Sequence, residues 1–177
     1  TGFGSLCDVK ISSEDIEQLQ ENLVLSHACG LGDEVPQDVV KIMLLLKIQN
    51  FVYGNSGVSL ELTQRLIDFY NQDILPVVYT MGSLGASGDL APLAHLSLPL
   101  LNRGVVHHEG VRKPAEQLNY AALKLQSKEG LALLNGNGNS VIFSVFVPLG
   151  LAGWIRLVEE KELIKRFGQS YIDYRKR

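Results

Sequence analysis

The sequence predicts a mainly helical fold that also contains a short β-hairpin and a glycine-rich loop. Several segments carry apolar residues three and four positions apart, which is the spacing of one face of an α-helix. Strand signals are few and short by comparison. The 177 residues are 46% hydrophobic and 20% charged, a composition that supports one domain with a buried core.

Three helices are predicted in the N-terminal part of the chain. The first begins after a capping serine, Ser12 or Ser13, and stops at Gly30, because glycine commonly ends helices. The second spans 36–53 and the third spans 60–70, each with apolar residues at helical spacing. These apolar stripes should pack against one another and form much of the core.

A glycine-rich loop and a buried helix come next. The loop covers 81–88, and the helix covers 93–101. This helix is apolar nearly all round, which is typical of a helix enclosed by the core. His95 lies inside it, so we expect a buried histidine held by a hydrogen bond rather than a ligand.

A short β-hairpin is predicted at 105–113, with its turn at Glu109-Gly110. After the hairpin, 117–125 has the spacing of a short amphipathic helix, and 128–134 is a compact apolar segment. No repeat and no low-complexity segment interrupts this order, and no strand run is long enough to predict a large sheet.

Charge and cysteine content argue against several classes of function. The net charge is −3 and the 16 Lys and Arg residues form no dense basic run, so nucleic-acid binding is not expected. Cys7 and Cys29 fit no metal spacing, and His107-His108 would point to opposite faces of a strand, so no metal is expected. The main apolar run, 141–155, is too short to span a membrane. Two thiols suit a reducing compartment, which favours a cytoplasmic location.

The segment 82–93 is the most informative for chemistry. At its centre lies Ala86-Ser87-Gly88, three common residues that composition alone would produce in about one chain in ten of this length. All twelve residues together resemble the signature of the aromatic amino acid ammonia-lyase and aminomutase family. The resemblance implies that this tripeptide cyclises by itself into a 4-methylidene-imidazol-5-one ring (MIO), an electrophilic prosthetic group that needs no metal.

The residue types of the tripeptide suit that ring closure. Gly88 has no Cβ, so its nitrogen can approach the carbonyl of the small Ala86 in a bent backbone. Ser87 carries the β-hydroxyl that must leave. Asp89 is expected to cap the helix that follows, and a role in ring closure stays open. The dipole of that helix would favour negative charge developing on the ring.

Four other segments resemble the family in the family's own order. They are the end of an active-site loop at 1–4, a substrate-selecting helix at 19–28, a turn at 53–57 and the segment at 129–136. Phe3 and Gly4 of the first segment are expected to support the site. The resemblance covers residue 1 to about Gly136, and it implies the N-terminal part of the ammonia-lyase helical fold.

Three polar residues are expected to contact the substrate or the ring. Ser26-His27 resembles the pair of the histidine-specific branch, in which His27 would hydrogen-bond the substrate side chain. The simpler alternative is that His27 caps its helix. Asn135 would hold the ring carbonyl or the substrate carboxylate, and the alternative is a turn asparagine before Gly136.

The resemblance also implies a reaction and a partner. The reaction is the non-hydrolytic elimination of ammonia from L-histidine to give urocanate, carried out by a homotetramer without a metal or a diffusible cofactor. Two alternatives stay open. One is a phenylalanine or tyrosine ammonia-lyase or aminomutase of the same family. The other is that this chain is a truncated, non-catalytic remnant.

The resemblance divides the chain at Gly136. Residues 1–136 correspond to the N-terminal MIO domain, and 137–177 form a tail that does not resemble the family's continuation. A shifted reading frame after Gly136 would produce this pattern, which translation of the other frames of the encoding DNA can test. The family's catalytic tyrosine precedes the stretch at 1–4, and later segments supply a tyrosine, an arginine and a glutamate. The sequence is therefore expected to be an N-terminal fragment.

Overall fold

The structure, a computed structural model, describes residues 8–82, 84–85 and 88–135. The chain divides into two units, Thr1–Gly136 and Asn137–Arg177. The second unit, which holds the predicted divergent tail, lies outside the described residues. Every helix and strand given below belongs to the first unit.

The three helices predicted in the N-terminal part are confirmed. They are α1 at Ile16–His27, α2 at Gln37–Val52 and α3 at Leu60–Asn71. Ser59 caps α3, because its hydroxyl accepts a hydrogen bond from the backbone N–H of Leu62 at 3.2 Å. Helices α2 and α3 pack against each other.

The predicted start of α1 is wrong by several residues. Asp15 is the N-cap of α1, with no hydrogen bond from its side chain to the helix. Ser12 instead closes the turn before the helix, because its hydroxyl accepts from the N–H of Asp15 at 3.2 Å and donates to the Asp15 carboxylate at 2.7 Å. Serine competes for backbone groups locally, and here it stabilises a turn rather than a helix end.

In the part of the chain that the structure describes, seven short strands form three small antiparallel sheets. In chain order they are β1 Leu31–Glu34, β2 Leu75–Pro76, β3 Tyr79–Met81, β4 Leu84–Gly85, β5 Gly88–Asp89, β6 Val105–His108 and β7 Val111–Pro114. Strand β1 pairs with β3, β4 pairs with β5, and β6 lies between β2 and β7. Strand β1 was not predicted, because Leu31-Gly32-Asp33-Glu34 has no β-branched or aromatic residue.

The predicted hairpin is confirmed at β6 and β7. Glu109 and Gly110 connect the strands with φ values of 57° and 73°, which is the left-handed geometry of a tight hairpin turn. Glu34 of β1 ties to this hairpin, because its carboxylate lies 2.8 Å from His107 Nε2 and accepts from Arg112 Nε at 2.9 Å. The hydrogen bond with His107, reinforced by Arg112, lowers the pKa of Glu34 below its ordinary 4.5.

The single helix predicted at 93–101 is wrong in its extent. Helix α4 spans Leu90–Ser97, and a 3₁₀ turn continues over Leu98–Leu101. Pro99 explains the change, because proline has no N–H and its ring would clash with the carbonyl four residues earlier in an α-helix.

The predicted helix at 117–125 is also wrong. A 3₁₀ turn covers Ala115–Gln117, and the chain beyond it is not helical until α5 at Glu129–Leu134. Leu123 and Leu125 are buried on either side of the exposed Lys124, and the N–H of Leu123 donates to the Leu100 carbonyl at 2.8 Å. Tertiary contacts of this extended segment outweigh its helical pattern.

One apolar cluster forms the core. Its deeply buried members include Val24, Leu44, Phe69, Leu96, Leu100 and Val106. These residues come from five helical segments (α1 to α4 and the 3₁₀ turn) and the hairpin, so the core joins the elements that hold the candidate site. Within the described ranges, no helix is both long enough and apolar enough to cross a membrane.

Candidate active site

The predicted site residues lie at the ends of three helices that contact one another pairwise, α1, α4 and α5. Ser26 and His27 are the last two residues of α1, Gly88-Asp89 directly precedes α4, and Asn135 directly follows α5. Mutual packing of these helices therefore brings together segments that are far apart in the sequence. Ala86, Ser87, Phe3 and Gly4 lie outside the described residues.

Hydrogen bonds to its own helix fix the ring of His27. Its Nδ1 lies 2.8 Å from the carbonyl of Leu23, and the Ser26 hydroxyl donates to the same carbonyl at 3.0 Å. A carbonyl can only accept, so we assign the proton of a neutral His27 to Nδ1. The Nε2 atom then carries the lone pair, which can accept a hydrogen bond from an imidazole N–H. In this tautomer His27 makes the helix-capping contact through Nδ1, and Nε2 remains available to accept a hydrogen bond.

His95 links its own helix, α4, to Gly30 in the segment that follows α1. The N–H of Gly30 donates to His95 Nε2 at 3.0 Å, and the His95 ring packs edge-on against Tyr79 with centroids 5.0 Å apart. A side chain on Gly30 would approach the His95 ring to 3.1 Å and the Met81 carbonyl to 3.3 Å, so the contact depends on glycine. The prediction of a hydrogen-bonded core histidine is confirmed.

We expect stability to fall below about pH 6.5 because of His95. Burial lowers the pKa of its imidazole below the ordinary 6.5, so the unfolded chain binds more protons than the folded chain at acidic pH. Protonation would also place an N–H against the Gly30 N–H. Urea unfolding at pH 7.5 and 5.0 should show a loss about 1–2 kcal/mol larger for wild type than for His95→Leu. Equal losses in the two proteins would contradict this role.

The predicted loop at 81–88 contains a strand pair that was not expected. Strands β4 and β5 pair antiparallel, with Leu84 opposite Asp89 and Gly85 opposite Gly88. The backbone flanking Ala86-Ser87 is therefore held as the two sides of a tight hairpin. The capping role of Asp89 stays a prediction.

Asn135 is the first residue after α5, and both its backbone N–H and its carbonyl form hydrogen bonds. It is extended, with φ −83° and ψ 123°, and its N–H donates to the Leu131 carbonyl at 2.9 Å. Its carbonyl accepts from Lys47 Nζ at 2.9 Å, and Lys47 also donates to the Ala132 carbonyl at 3.1 Å. These contacts fix the main chain from which the Asn135 amide projects.

Lys47 is a cation whose burial was not predicted from the sequence. It is 1% exposed, and Nζ lies 5.4 Å from the centre of the Phe51 ring. Burial lowers the pKa of its ammonium from 10.5 to about 8, so Lys47 still carries its charge at neutral pH. One signal was present in the sequence: Lys47 falls on the same helical stripe as the buried Val40, Leu44 and Phe51.

Across the parts of the chain that the structure describes, no group of three or more His, Cys, Asp and Glu side chains could hold a metal ion. The polar groups near the ends of α1 and α5 are instead hydrogen-bonding groups: an imidazole, a hydroxyl, an amide and an ammonium. Such a set can bind and orient a polar substrate and move protons.

Comparison with known proteins identifies the protein family. The model of the aromatic amino acid lyase family matches residues 1–152, and the chain belongs to this family. The predicted family membership is thereby confirmed. The match extends past Gly136, and the division of the chain at that residue stays a prediction.

Within this family, the chain is similar to histidine ammonia-lyases. The chain is 56% identical over 140 residues to the histidine ammonia-lyase of Legionella pneumophila (strain Corby), covering 77% of this chain and 28% of that protein. It is 52% identical over 140 residues to the histidine ammonia-lyase of Bacillus velezensis, covering 77% and 27%. The chain therefore spans little more than a quarter of the length of these curated relatives.

Solved structures of the family share the fold. Tyrosine aminomutase from Streptomyces globisporus superposes with a TM-score of 0.69 at 32% identity, covering 76% of this chain and 26% of that one. Histidine ammonia-lyase from Trypanosoma cruzi gives a TM-score of 0.67 at 31% identity, covering 73% and 26%. The described helices and small sheets thus match one part of the ammonia-lyase and aminomutase structures.

Proposed function

We propose that this chain supplies the N-terminal part of the active site of a histidine ammonia-lyase, which eliminates ammonia from L-histidine to give urocanate. The observation that carries the proposal is the pairwise packing of α1, α4 and α5. His27, Gly88 and Asn135 lie at or beside the ends of these helices, which supports assigning them to one site. The 56% identity to a histidine ammonia-lyase supports the choice of histidine within the family.

The chain's residues fit the MIO group that the family implies. In the proposed closure, the Gly88 nitrogen bonds to the Ala86 carbonyl carbon. The Ala86 oxygen leaves as water with the amide protons of Ser87 and Gly88. The Ser87 hydroxyl leaves as a second water with the proton of its own Cα. Pairing of Gly85 with Gly88 supports this step, because it holds the residues on either side of the reacting pair next to each other. The finished ring supplies an electrophilic exocyclic carbon.

The other site residues bind and orient. His27, with its proton on Nδ1, offers Nε2 to an N–H of the substrate imidazole, and Ser26 steadies the end of α1 through the Leu23 carbonyl. Asn135 presents an amide that can both donate and accept, which suits the substrate carboxylate or the ring carbonyl. Asp89, Phe3 and Gly4 complete the proposed set as supporting residues. Residues from other subunits of a homotetramer would complete the pocket.

Two measurements on the protein's full chain test this proposal. Mass spectrometry should find a deficit of two waters in the peptide that contains residues 86–88. Release of product from histidine, tyrosine and phenylalanine should then be compared by ultraviolet absorbance, and histidine should be turned over at least about tenfold faster.

Each alternative to the proposed function predicts a different result for the peptide mass and the turnover. A preference for tyrosine or phenylalanine would indicate another branch of the family, which the likeness to a tyrosine aminomutase keeps open. A chain without the mass deficit would contradict the proposed prosthetic group. A chain with the deficit and no turnover of any of the three amino acids would support a non-catalytic remnant.

A further inference from the structure

Three buried polar side chains make hydrogen bonds at one short helix, α5. Within the described residues, five polar or charged side chains are buried: Gln20, Lys47, His95, Ser97 and Glu129. Gln20 accepts from the first turn of α5, Lys47 donates to the carbonyls at its end, and Glu129, its first residue, accepts from backbone N–H groups outside the helix. A helix of six residues is not stable alone, so its position depends on these contacts.

The first turn of α5 is fixed from two sides. The N–H of Gly130 donates to the Gln20 side-chain oxygen of α1 at 3.1 Å, and a Cβ on Gly130 would lie only 2.9 Å from the Gln20 carbonyl. The Glu129 carboxylate accepts from the N–H of Ser59, the cap of α3, at 2.6 Å and from the N–H of Gln126 at 2.5 Å. These bonds hold the start of the helix against α1 and α3.

The last turn of α5 is fixed by Lys47 of α2. The final carbonyls of any helix lack partners within the helix, and Lys47 satisfies those of Ala132 and Asn135. The negative end of the helix dipole also favours an ammonium there. Burying this cation is still costly, and an apolar side chain of similar length would avoid the cost. A role in holding the end of α5 in place accounts for the charge better than stability does.

We propose that Lys47 is a positioning residue: by bonding the Asn135 carbonyl, its ammonium fixes where the Asn135 amide meets the reacting groups. This inference rests on the proposed function, because the Asn135 amide contacts the substrate or the ring only if the chain contributes to a working ammonia-lyase active site. Lys47 itself need not touch the substrate or the ring. Its effect should reach the reaction only through Asn135.

A double-mutant cycle in the protein's full chain tests this dependence. Lys47→Met and Asn135→Ala are measured alone and together, with kcat and KM for L-histidine. Lys47→Met should lower kcat at least about tenfold with KM within about twofold, and should change kcat less than about twofold when Asn135 is already alanine. Lys47→Arg, which keeps a charged donor, should recover most of kcat. Lys124→Met, at a side chain that is 80% exposed, is the matched control and should match wild type.

Hydrogen exchange gives a readout that does not depend on turnover. The Asn135 N–H, which donates to Leu131, should exchange at least about tenfold faster in Lys47→Met, while the N–H of Gly130 at the other end of α5 keeps its protection. Equal acceleration at both ends would indicate general loosening of the fold and would overturn the inference.

Failure of this inference can be told apart from failure of the proposed function. A wild-type chain that releases no urocanate, or an Asn135→Ala variant with normal turnover, contradicts the proposed function. If Asn135→Ala is impaired but the effects of Lys47→Met and Asn135→Ala multiply, only the role of Lys47 is wrong. If Lys47→Met does not fold, Lys47→Gln replaces it in the same cycle, and its loss of kcat should disappear in the Asn135→Ala background.

Discussion

Replacing Ser87 with alanine should lower the turnover of L-histidine at least about 1000-fold, which corresponds to about 4 kcal/mol of transition-state stabilisation. Alanine has no β-hydroxyl, so the second water cannot leave and the exocyclic methylene cannot form. The electrophile would then be missing, and the poor amino leaving group would stay unactivated. Urocanate release and the mass of the peptide containing residues 86–88 are the two measurements, and the full two-water deficit should be absent from the variant.

Ser83→Ala is the matched control, because it makes the same chemical change in the same segment. It should keep the two-water deficit and most of the turnover. Equal loss of both in Ser83→Ala would show that the segment as a whole, rather than the Ser87 hydroxyl, is responsible. Full turnover in Ser87→Ala would contradict the proposed prosthetic group, since no other residue of the tripeptide can supply the methylidene carbon.

Local patterns predicted most of the helices. Helices α2 and α3 and the hairpin of β6 and β7 follow from spacing and turn residues, which act within a few positions of the chain. The segment 117–125 has the same helical spacing but is irregular beyond Gln117, because the N–H of Leu123 bonds the Leu100 carbonyl and Leu123 and Leu125 are buried. Local preference alone cannot reveal such distant contacts.

For the candidate site too, residues in contiguous motifs could be predicted from the sequence, whereas contacts between distant residues could not. Ala86-Ser87-Gly88, His27 and Asn135 could be proposed because they lie in contiguous motifs. The side chains that hold α5 could not be found that way. The bond from Lys47 to Asn135 spans 88 positions of the chain, and that from Gly130 to Gln20 spans 110. Only the folded arrangement makes these residues neighbours.

Replacing Glu129 with glutamine should destabilise the fold by about 2–4 kcal/mol. The Glu129 carboxylate is 1% exposed and accepts two backbone hydrogen bonds, from Ser59 and from Gln126. Glutamine has nearly the same shape but only one acceptor oxygen, so its NH₂ group must face one of the two N–H donors. A donor would then be buried without a partner, and two donors would be in contact. Urea unfolding of the full chain at pH 7 measures the change.

Glu116→Gln is the control for this prediction, because Glu116 is exposed and the same substitution there should change stability by less than about 0.5 kcal/mol. Glu129→Leu removes the charge and both hydrogen bonds and leaves both N–H groups unpaired, so it should be at least as destabilising as Glu129→Gln. If Glu129→Leu were as stable as wild type, the two backbone bonds would contribute little. The start of α5 would then be held by Gln20 and apolar packing alone.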